Sequence, residues 1–145
     1  MSDLTFILVE HGSSEYQQTL ALRDDILRKP LGLVFDPNQL AKETVDFHLA
    51  CFRDADLVGC LVLTPRENGE LKMRQVAVKE SEQGRGIGRE LVSASERIAR
   101  ENGFTTMVLN ARATVVPFYE KLGYSVVGEP FEEVTIRHRA MMRVL

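Results

Sequence analysis

A strand-like segment that leads through three closely spaced glycines into a long amphipathic helix constrains this chain more than any other feature. Residues 73–88 read MRQVAVKESEQGRGIG. The first N–H groups of a helix have no intrahelical acceptor and therefore attract anions. Glycines let such a backbone close around a phosphate, because no Cβ stands in the way. The segment therefore predicts a ligand that carries a phosphate group.

Composition favours one domain, residues 1–145, that is large enough to bury a hydrophobic core. The chain carries a formal charge of −3, with 44% hydrophobic and 27% charged residues, as is ordinary for a globular protein. No apolar run has the length of a membrane span, and the N-terminus lacks the pattern of a signal peptide. We therefore expect a cytoplasmic protein without a membrane partner. The mildly acidic charge gives no support for nucleic-acid binding.

The two cysteines, Cys51 and Cys60, predict neither a disulfide framework nor a metal site. A hairpin with its tip at Ala55-Asp56 would place the two side chains opposite each other. They are then either two reduced thiols, as is usual in a cytosolic protein, or an oxidation-sensitive pair.

Alternation and helical periodicity predict an α/β (α+β) fold of about seven strands and about four helices, in the order β-α-(α)-β-β-β-α-β-α-β-β. The predicted strands cover residues 4–9, 46–53, 57–64, 70–78, 105–110, 124–127 and 134–144. The predicted helices cover residues 14–28, one turn near 38–42, 85–102 and 113–122.

Several boundaries have specific signals. The segment Ser14–Gln17 matches a capping box, which starts the first helix, and Pro30 follows its end. Gly103 is placed to end the long helix, whose predicted buried stripe is Ile87, Leu91, Ala94 and Ile98.

In the short helix of residues 113–122 we expect Val115, Phe118 and Leu122 to point inward and Gly123 to end the helix. In the final segment the apolar positions fall on one face of a long closing strand. They are Val134, Ile136, His138, Ala140, Met142 and Val144.

The strand at residues 70–78 contains a break in parity. Leu71 and Met73 are apolar at odd positions, whereas Val76 and Val78 are apolar at even positions. A regular strand keeps one parity on one face, so the switch near Arg74-Gln75 indicates a β-bulge. Alternatively, the strand is buried on both faces, where parity carries little information.

The spacing of the glycines excludes two common nucleotide sites. The dinucleotide fingerprint G-x-G-x-x-G would need glycine at position 89, which is Arg89, and no G-x-x-x-x-G-K-[ST] segment occurs. The remaining chemistry is a pyrophosphate cradle at a helix N-terminus, with Arg85 and Arg89 beside it. The alternative is a tight strand-to-helix turn without a ligand.

Two motifs resemble those of the GCN5-related N-acetyltransferases. Residues 83–88, QGRGIG, resemble the Q/R-x-x-G-x-G/A signature of that superfamily, and residues 118–124, FYEKLGY, resemble its second signature. The predicted element order matches the superfamily over nearly the whole chain, which implies a mixed central sheet with a bulged fourth strand. The tail at 128–138 resembles the small ElaA-type subgroup more loosely.

This resemblance implies acetyl-CoA as the cosubstrate, without a metal. The pantetheine arm would pair with the backbone of Val76, Ala77 and Val78. The pyrophosphate loop would comprise Gln83, Gly84, Arg85, Gly86, Ile87, Gly88 and Arg89. A bulge would also splay the fourth and fifth strands and so open a cleft for the arm.

The resemblance further implies direct acetyl transfer to a primary amine within a ternary complex. The backbone N–H near Val76 or Ala77 would polarise the thioester carbonyl, and Tyr119 matches the tyrosine that protonates the departing sulfur. A phenol is protonated at neutral pH and is able to donate. Alternatively, Tyr119 only packs the short helix.

Other polar residues each have two interpretations. Many superfamily members carry an asparagine where this chain has Arg112, so Asn110 either reaches the cofactor cleft or caps the next helix. His138 is either a catalytic base or a satisfied core histidine, and Arg74 either orients a carboxylate on the acceptor or pairs with an acid. His48 has no identifiable partner, and Glu132 and Glu133 are expected in a loop. A chain of water molecules could also take the place of a single general base.

Two rival functions share this sequence pattern. The first is a catalytically silent module that binds acyl-CoA, and the second is a cysteine-dependent acyltransferase, which needs a cysteine beside a histidine.

The amine acceptor, a small molecule or a peptide, is not indicated by any motif. Residues 28–45 and 128–138 are expected to shape its pocket, and the closing strand could pair in a homodimer.

Overall fold

The computed structural model describes residues 4–145 and places seven strands in one mixed sheet. The strands are β1 (Leu4–Val9), β2 (Phe47–Arg53), β3 (Asp56–Pro65), β4 (Glu70–Val78), β5 (Thr106–Arg112), β6 (Ser125–Glu133) and β7 (Ile136–Val144). Their spatial order is β1-β2-β3-β4-β5-β7-β6. The β4–β5 pair is parallel and all other neighbouring pairs are antiparallel.

Four α-helices and several short helical turns connect the strands. The helices are α1 (Ser14–Arg23), α2 (Pro37–Ala41), α3 (Ile87–Glu101) and α4 (Val116–Lys121). A π-helical turn, Asp24–Arg28, and a 3-10 turn, Lys29–Leu31, extend α1. Across residues 4–145, no helix combines the length and the apolar character that a membrane crossing requires. The predicted element order is confirmed, and the parallel β4–β5 pair follows from the crossover through α3.

The core lies between the sheet and α3. Ile87, Leu91 and Ala94 of the predicted stripe are buried, while Ile98 is half-buried and packs against them. A Cβ on Gly59 of β3 would lie 2.9 Å from Leu91 Cδ1 and 3.1 Å from Ile87 Cγ2. Glycine at this position therefore lets the first turns of α3 pack directly on β3.

The first helix begins at Ser14 as predicted, but its N-cap lies one residue before the start of the capping-box pattern. Ser13 is the N-cap, and its Oγ accepts a hydrogen bond from the Tyr16 N–H at 3.1 Å. Ser14 is therefore the first helical residue and makes no cap. The helical path continues to Arg28 as expected, although its last turn is π-helical.

The expected pairing of the two cysteines is wrong. The hairpin turn consists of Asp54 and Ala55, and the register shifts at a bulge between Cys51 and Phe52, so Cys51 faces Gly59 and Cys60 faces Ala50. Adjacent positions in a sheet point to opposite faces. Accordingly, Cys51 packs in the main core and Cys60 packs in a separate cluster with Leu22.

The inward face of α4 also differs from the prediction. Tyr119 is buried, whereas Val115 and Phe118 are 36% and 37% exposed. Both residues line the cleft described below. Their apolar side chains therefore face a concave surface instead of the core.

The closing strand is shorter at its start than predicted. Val134 and Thr135 form the turn between β6 and β7, both with positive φ. Val134 thus lies outside the strand. Within Ile136–Val144 burial does not follow the predicted face, because Met141 is buried in the core whereas Val144 is 72% exposed. Glu132 and Glu133 belong to β6 and not to a loop.

A buried ion pair joins α1 to the segment before β2. The Arg23 guanidinium donates to both Glu43 carboxylate oxygens, at 2.9 and 2.8 Å, and the two side chains are 1% and 5% exposed. The Tyr16 hydroxyl donates a third bond to Glu43. Burial alone would raise the pKa of the Glu43 carboxyl, but the bonds from Arg23 and Tyr16 outweigh it and hold the pKa below its usual value.

Replacing Glu43 by glutamine should lower the free energy of unfolding by about 3 kcal/mol, because it leaves the Arg23 charge buried without a counter-charge. Since the folded-state pKa of Glu43 is depressed, this contribution is present above the unfolded pKa and is lost as pH falls through the folded one. Urea unfolding at pH 7 measures the loss. The exposed substitution Glu67→Gln is the control, and equal midpoints for both variants would contradict the prediction.

Candidate functional site

The fourth strand contains the bulge that the parity break predicts. Cys60 faces Ala77 and Val62 faces Arg74, so Gln75 and Val76 together oppose Leu61 alone. Gln75 has φ +55°, a left-handed conformation that is uncommon outside glycine. The extra residue re-aims the strand that follows it.

Beyond the bulge, β4 and β5 separate. Their pairing runs from Glu70–Thr106 to Met73–Leu109, and within residues 4–145 no further residues of the two strands pair. A cleft of about 680 Å³ occupies the gap. Most of its walls come from β4, β5, α4 and the segment after α1, with contributions from Gln83, Gly88, Glu133, Val134, Ile136 and His138.

Beyond the bulge, the backbone of β4 directs polar groups toward this cleft. The Lys79 N–H donates to the Val58 carbonyl of β3 at 2.8 Å. Because strand amides alternate in direction, the Ala77 N–H points to β3, whereas the N–H groups of Val76 and Val78 point away from it, toward the cleft. The Val78 carbonyl accepts a 3.0 Å bond from the Gln83 side-chain amide.

The glycine-rich turn exposes a run of free amides. Gly84 and Gly86 have φ +80° and +85°, and Gly86 is the N-cap of α3 without a side-chain cap. Over the part of the chain that the structure describes, the N–H groups of residues 84–89 have no hydrogen-bond acceptor. The turn is therefore a concave set of donors at the positive end of a helix.

Arginines add positive charge around the turn. Arg85 is 64% exposed and lies 3.8 Å from Glu82, which Arg53 also contacts at 3.1 Å. Arg89 is exposed on the first turn of α3. Both predicted arginines are thus free to reach an anion held by the loop.

Tyr119 places its hydroxyl at the cleft. The residue is only 7% exposed, and its ring packs edge-on against Phe118 and Tyr124. Among the described residues no group hydrogen-bonds the hydroxyl, which is not fully enclosed. Burial raises the pKa of Tyr119 to about 12.

His138 also lines the cleft, on β7 opposite Arg112. Its Nδ1 lies 2.7 Å from the Ile136 carbonyl. A carbonyl only accepts, so Nδ1 carries the proton and Nε2 is the free nitrogen of the neutral ring. Nε2 lies 3.5 Å from the Glu133 carboxylate, and Phe131 stacks on the ring.

Asn110 is exposed on β5 and lines the cleft with Arg112. Neither helical segment after β5 has a side-chain cap, so the capping interpretation of Asn110 is wrong. The cleft interpretation agrees with its position.

The sequence analysis anticipated a second wall of the cleft only in part, since the expected range 28–45 contains Leu31 and Leu33 but not Ile26 and Leu27. Ile26, Leu27, Leu31 and Leu33 cover the cleft from the extension of α1, and the Arg28 side chain donates to the Gln75 amide oxygen at 3.1 Å. The 3.6-residue periodicity up to Leu27 was visible, but nothing in it indicated that this face covers a cleft instead of a core.

Arg74 and His48 belong to the polar cluster around Glu43. Arg74 lies 3.6 Å from Glu43 and 3.4 Å from Asp46, so the pairing interpretation of Arg74 is confirmed. His48 is buried, and its Nε2 lies 2.8 Å from the Glu43 carbonyl. Burial lowers the pKa of His48.

Neither cysteine is suited to nucleophilic catalysis. Both are buried and neither lines the cleft. Burial raises the pKa of Cys51 to about 11 and that of Cys60 to about 12. A thiol with such a pKa is not a thiolate at neutral pH.

Comparisons with known proteins agree on one family. The model described as "Acetyltransferase (GNAT) domain" matches residues 34–145. The uncharacterized N-acetyltransferase YjcF of Bacillus subtilis is 35% identical over 78 residues, which are 53% of this chain and 56% of the relative. The chain thus spans about half the length of the first curated relatives that it matches.

Solved structures share the fold over nearly the whole chain. A putative N-acetyltransferase from Lactobacillus plantarum has a TM-score of 0.88 at 23% identity, covering 98% of both chains. Escherichia coli ElaA has a TM-score of 0.81 at 20% identity, covering 97% of this chain and 99% of the other. A GNAT family acetyltransferase from Elizabethkingia anophelis, solved with acetyl-CoA bound, has a TM-score of 0.77 at 17% identity and full coverage of both.

The raised pKa values predict that both thiols are unreactive in the folded protein. Native protein at pH 8 should react negligibly with Ellman's reagent, whereas protein unfolded in guanidinium should titrate two thiols. Absorbance at 412 nm gives the count. Rapid reaction of either cysteine in the native state would contradict the burial described here.

Proposed function

Since the chain belongs to the GCN5-related N-acetyltransferase (GNAT) superfamily, we propose that it transfers an acetyl group from acetyl-CoA directly to a primary amine, within a ternary complex. We also propose that residues 1–145 act as one acetyltransferase domain. The observation that carries the proposal is the set of free amides at residues 84–89, at the mouth of a cleft between two separated strands.

The loop of residues 83–89 would hold the diphosphate of the cosubstrate. Its free N–H groups match phosphate oxygens, and Arg85 and Arg89 supply charge beside them. Gly84 and Gly86 hold the left-handed conformations that keep these donors convergent. The acetyl-CoA complex of the Elizabethkingia protein supports this assignment by likeness of fold.

The free edge of β4 would bind the pantetheine arm by adding a strand-like partner. Val76 and Val78 direct their amides to the cleft, so either is able to donate to an amide or a thioester carbonyl of the arm. Val76, next to the bulge, is the better placed for the thioester, because it lies deepest between the strands. Ala77 would contact the arm through its side chain but would not donate a hydrogen bond to it, because its N–H points to β3. Asn110 faces the arm from β5.

The reaction needs a neutral amine and an acid for the departing thiolate. The amine nitrogen attacks the thioester carbonyl carbon, the C–S bond breaks, and the Tyr119 phenol gives its proton to the sulfur. A pKa of about 12 keeps this phenol protonated across the neutral range. The open hydroxyl of an otherwise buried ring suits that role.

His138 would accept the proton that the amine loses. Its Nδ1–H is fixed by the Ile136 carbonyl, so the lone pair of Nε2 is available. The Glu133 carboxylate, 3.5 Å away, stabilises the imidazolium once it forms. This pair supports the catalytic interpretation of His138 over a purely structural one.

Calorimetry with CoA and a thiol-release assay with a panel of amines test the proposal together. Binding of CoA with turnover of at least one amine supports it. Binding without turnover of any amine would favour a silent acyl-CoA-binding module, and no binding would end both interpretations.

The variant Gly84→Ala should weaken CoA binding at least ten-fold, because a Cβ at this left-handed position strains the loop that presents the donors. Gly103→Ala is a matched control. Gly103 has φ +82° and, like Gly84, free space around its missing Cβ, but it lies at the far end of α3. Equal CoA affinities of the two variants would contradict a diphosphate site at the loop.

The variant Tyr119→Phe should lower kcat about ten-fold or more with little change in the Kd of acetyl-CoA, because it removes the proton donor and keeps the ring. Steady-state thiol release and calorimetry measure the two quantities. Tyr124→Phe removes a neighbouring buried hydroxyl that bonds Glu96 and should retain kcat. Unchanged turnover of Tyr119→Phe would remove the acid role.

A further inference from the structure

Arg28 is a cation at the cleft without a counter-ion. Its Nη2 donates to the neutral amide oxygen of Gln75 at 3.1 Å. Its Nε is buried and has no hydrogen-bond partner in the described part of the chain. No carboxylate of residues 4–145 lies within ion-pair distance of its guanidinium. A buried donor of this kind normally has an acceptor.

The neighbouring arginines differ from Arg28 in having counter-ions. Arg23 donates two bonds to Glu43, although its Nε, like that of Arg28, is buried without a partner in the described part of the chain. Arg74 lies between Glu43 and Asp46. Glu43 and Asp46 therefore lie within ion-pair distance of Arg23 and Arg74 but not of Arg28. Arg28 and Arg74 both line the cleft, and of these two only Arg28 has no carboxylate of the described residues at that distance. Burial, together with the charges of Arg23 and Arg74, lowers the pKa of Arg28 despite the opposing charges of Glu43 and Asp24.

The Arg28 side chain is also held in place. The Phe35 ring lies 5.0 Å from its guanidinium carbon and 5.2 Å from that of Arg23. Together with the bond to Gln75, this contact fixes the guanidinium at the bulge, beside the point where β4 and β5 part. A fixed planar guanidinium binds a carboxylate with two parallel bonds.

The remainder of this wall is apolar, and the opposite wall carries the base. Ile26, Leu27, Leu31 and Leu33 line the cleft on the same side as Arg28, whereas Glu133 and His138 lie on the β6–β7 side. The first side is therefore apolar with one cation, and the second carries the Glu133 carboxylate beside His138, with Arg112 opposite His138 on β5.

We propose that the acceptor is an amino-acid-like molecule, which pairs its carboxylate with Arg28, packs an apolar side chain on the leucine wall and presents its amine to His138 and Glu133. The assignment deepens the proposed function and rests on it. An acceptor with amines alone, such as a polyamine, would bring a second cation toward Arg28 and is disfavoured.

Matched acceptor pairs that differ only in the carboxylate test this assignment. The measured quantity is the ratio of kcat/KM for L-leucine to that for isopentylamine, and likewise for L-phenylalanine and phenethylamine, by thiol release. The wild-type ratio should be about ten or more, because a charge-assisted bidentate bond is lost with the carboxylate. A ratio of one or below would overturn the proposal, while turnover of the amines would leave acetyl transfer itself intact.

Two variants locate the carboxylate site. Arg28→Gln should reduce the ratio toward one, whereas Lys29→Gln, which removes an exposed cation that pairs with Asp25, should keep the wild-type ratio. Arg112 also lines the cleft. If Arg112→Gln and not Arg28→Gln abolishes the preference, the assignment to Arg28 is overturned.

A binding measurement keeps the test independent of turnover. Calorimetry in the presence of CoA compares N-acetyl-L-leucine with N-isopentylacetamide, the two acetylated products. The carboxylated product should bind about ten-fold or more tightly to the wild type, and this margin should shrink in Arg28→Gln. Equal affinities would overturn the carboxylate site even if no acceptor is turned over, and thermal melts of each variant show that it is folded.

Discussion

Two residues of β4, Gln75 and Val76, face one residue of β3, and the cleft depends on this mismatch. The extra residue turns the end of β4 away from β5, after the two strands have paired over their first halves. A sheet that continued its ladder would satisfy the same amides internally and leave no gap. The left-handed conformation of Gln75 is the local strain that accompanies this arrangement.

The bulge is connected to the polar cluster around Glu43. Gln75 accepts from Arg28, and Arg74, the residue before it, contacts Asp46 and Glu43. Glu43 in turn joins Arg23 of α1. The same network therefore positions the extension of α1 over the cleft, so that this wall of the cleft and the strand distortion form a continuous set of contacts.

The sequence predicted those parts of the fold that depend on local patterns. The order of strands and helices, the stripe of α3 and the bulge all follow from periodicity or from a break in it. The glycines at 84 and 86 have the positive φ angles that a cradle needs. In each case a short stretch of chain carries the whole signal.

The errors arose where a long-range contact decides the outcome. A bulge at Cys51 moved the hairpin register by one residue and sent the cysteines to opposite faces. Phe118 was expected in the core because apolar residues usually lie there, yet it faces the cleft and leaves Tyr119 to fill the interior. Arg28 could not be identified as unneutralised, since its charge balance depends on Glu43 and Asp46, which approach only in three dimensions.

The bond from the Gln83 side chain to the Val78 carbonyl has a consequence for energetics. Where an incoming amide replaces the glutamine on this oxygen, one hydrogen bond is exchanged for another and none is gained there. Gln83 then becomes free to turn toward solvent or toward the loop. The binding enthalpy of such a ligand would therefore be smaller than the number of hydrogen bonds in the bound complex suggests.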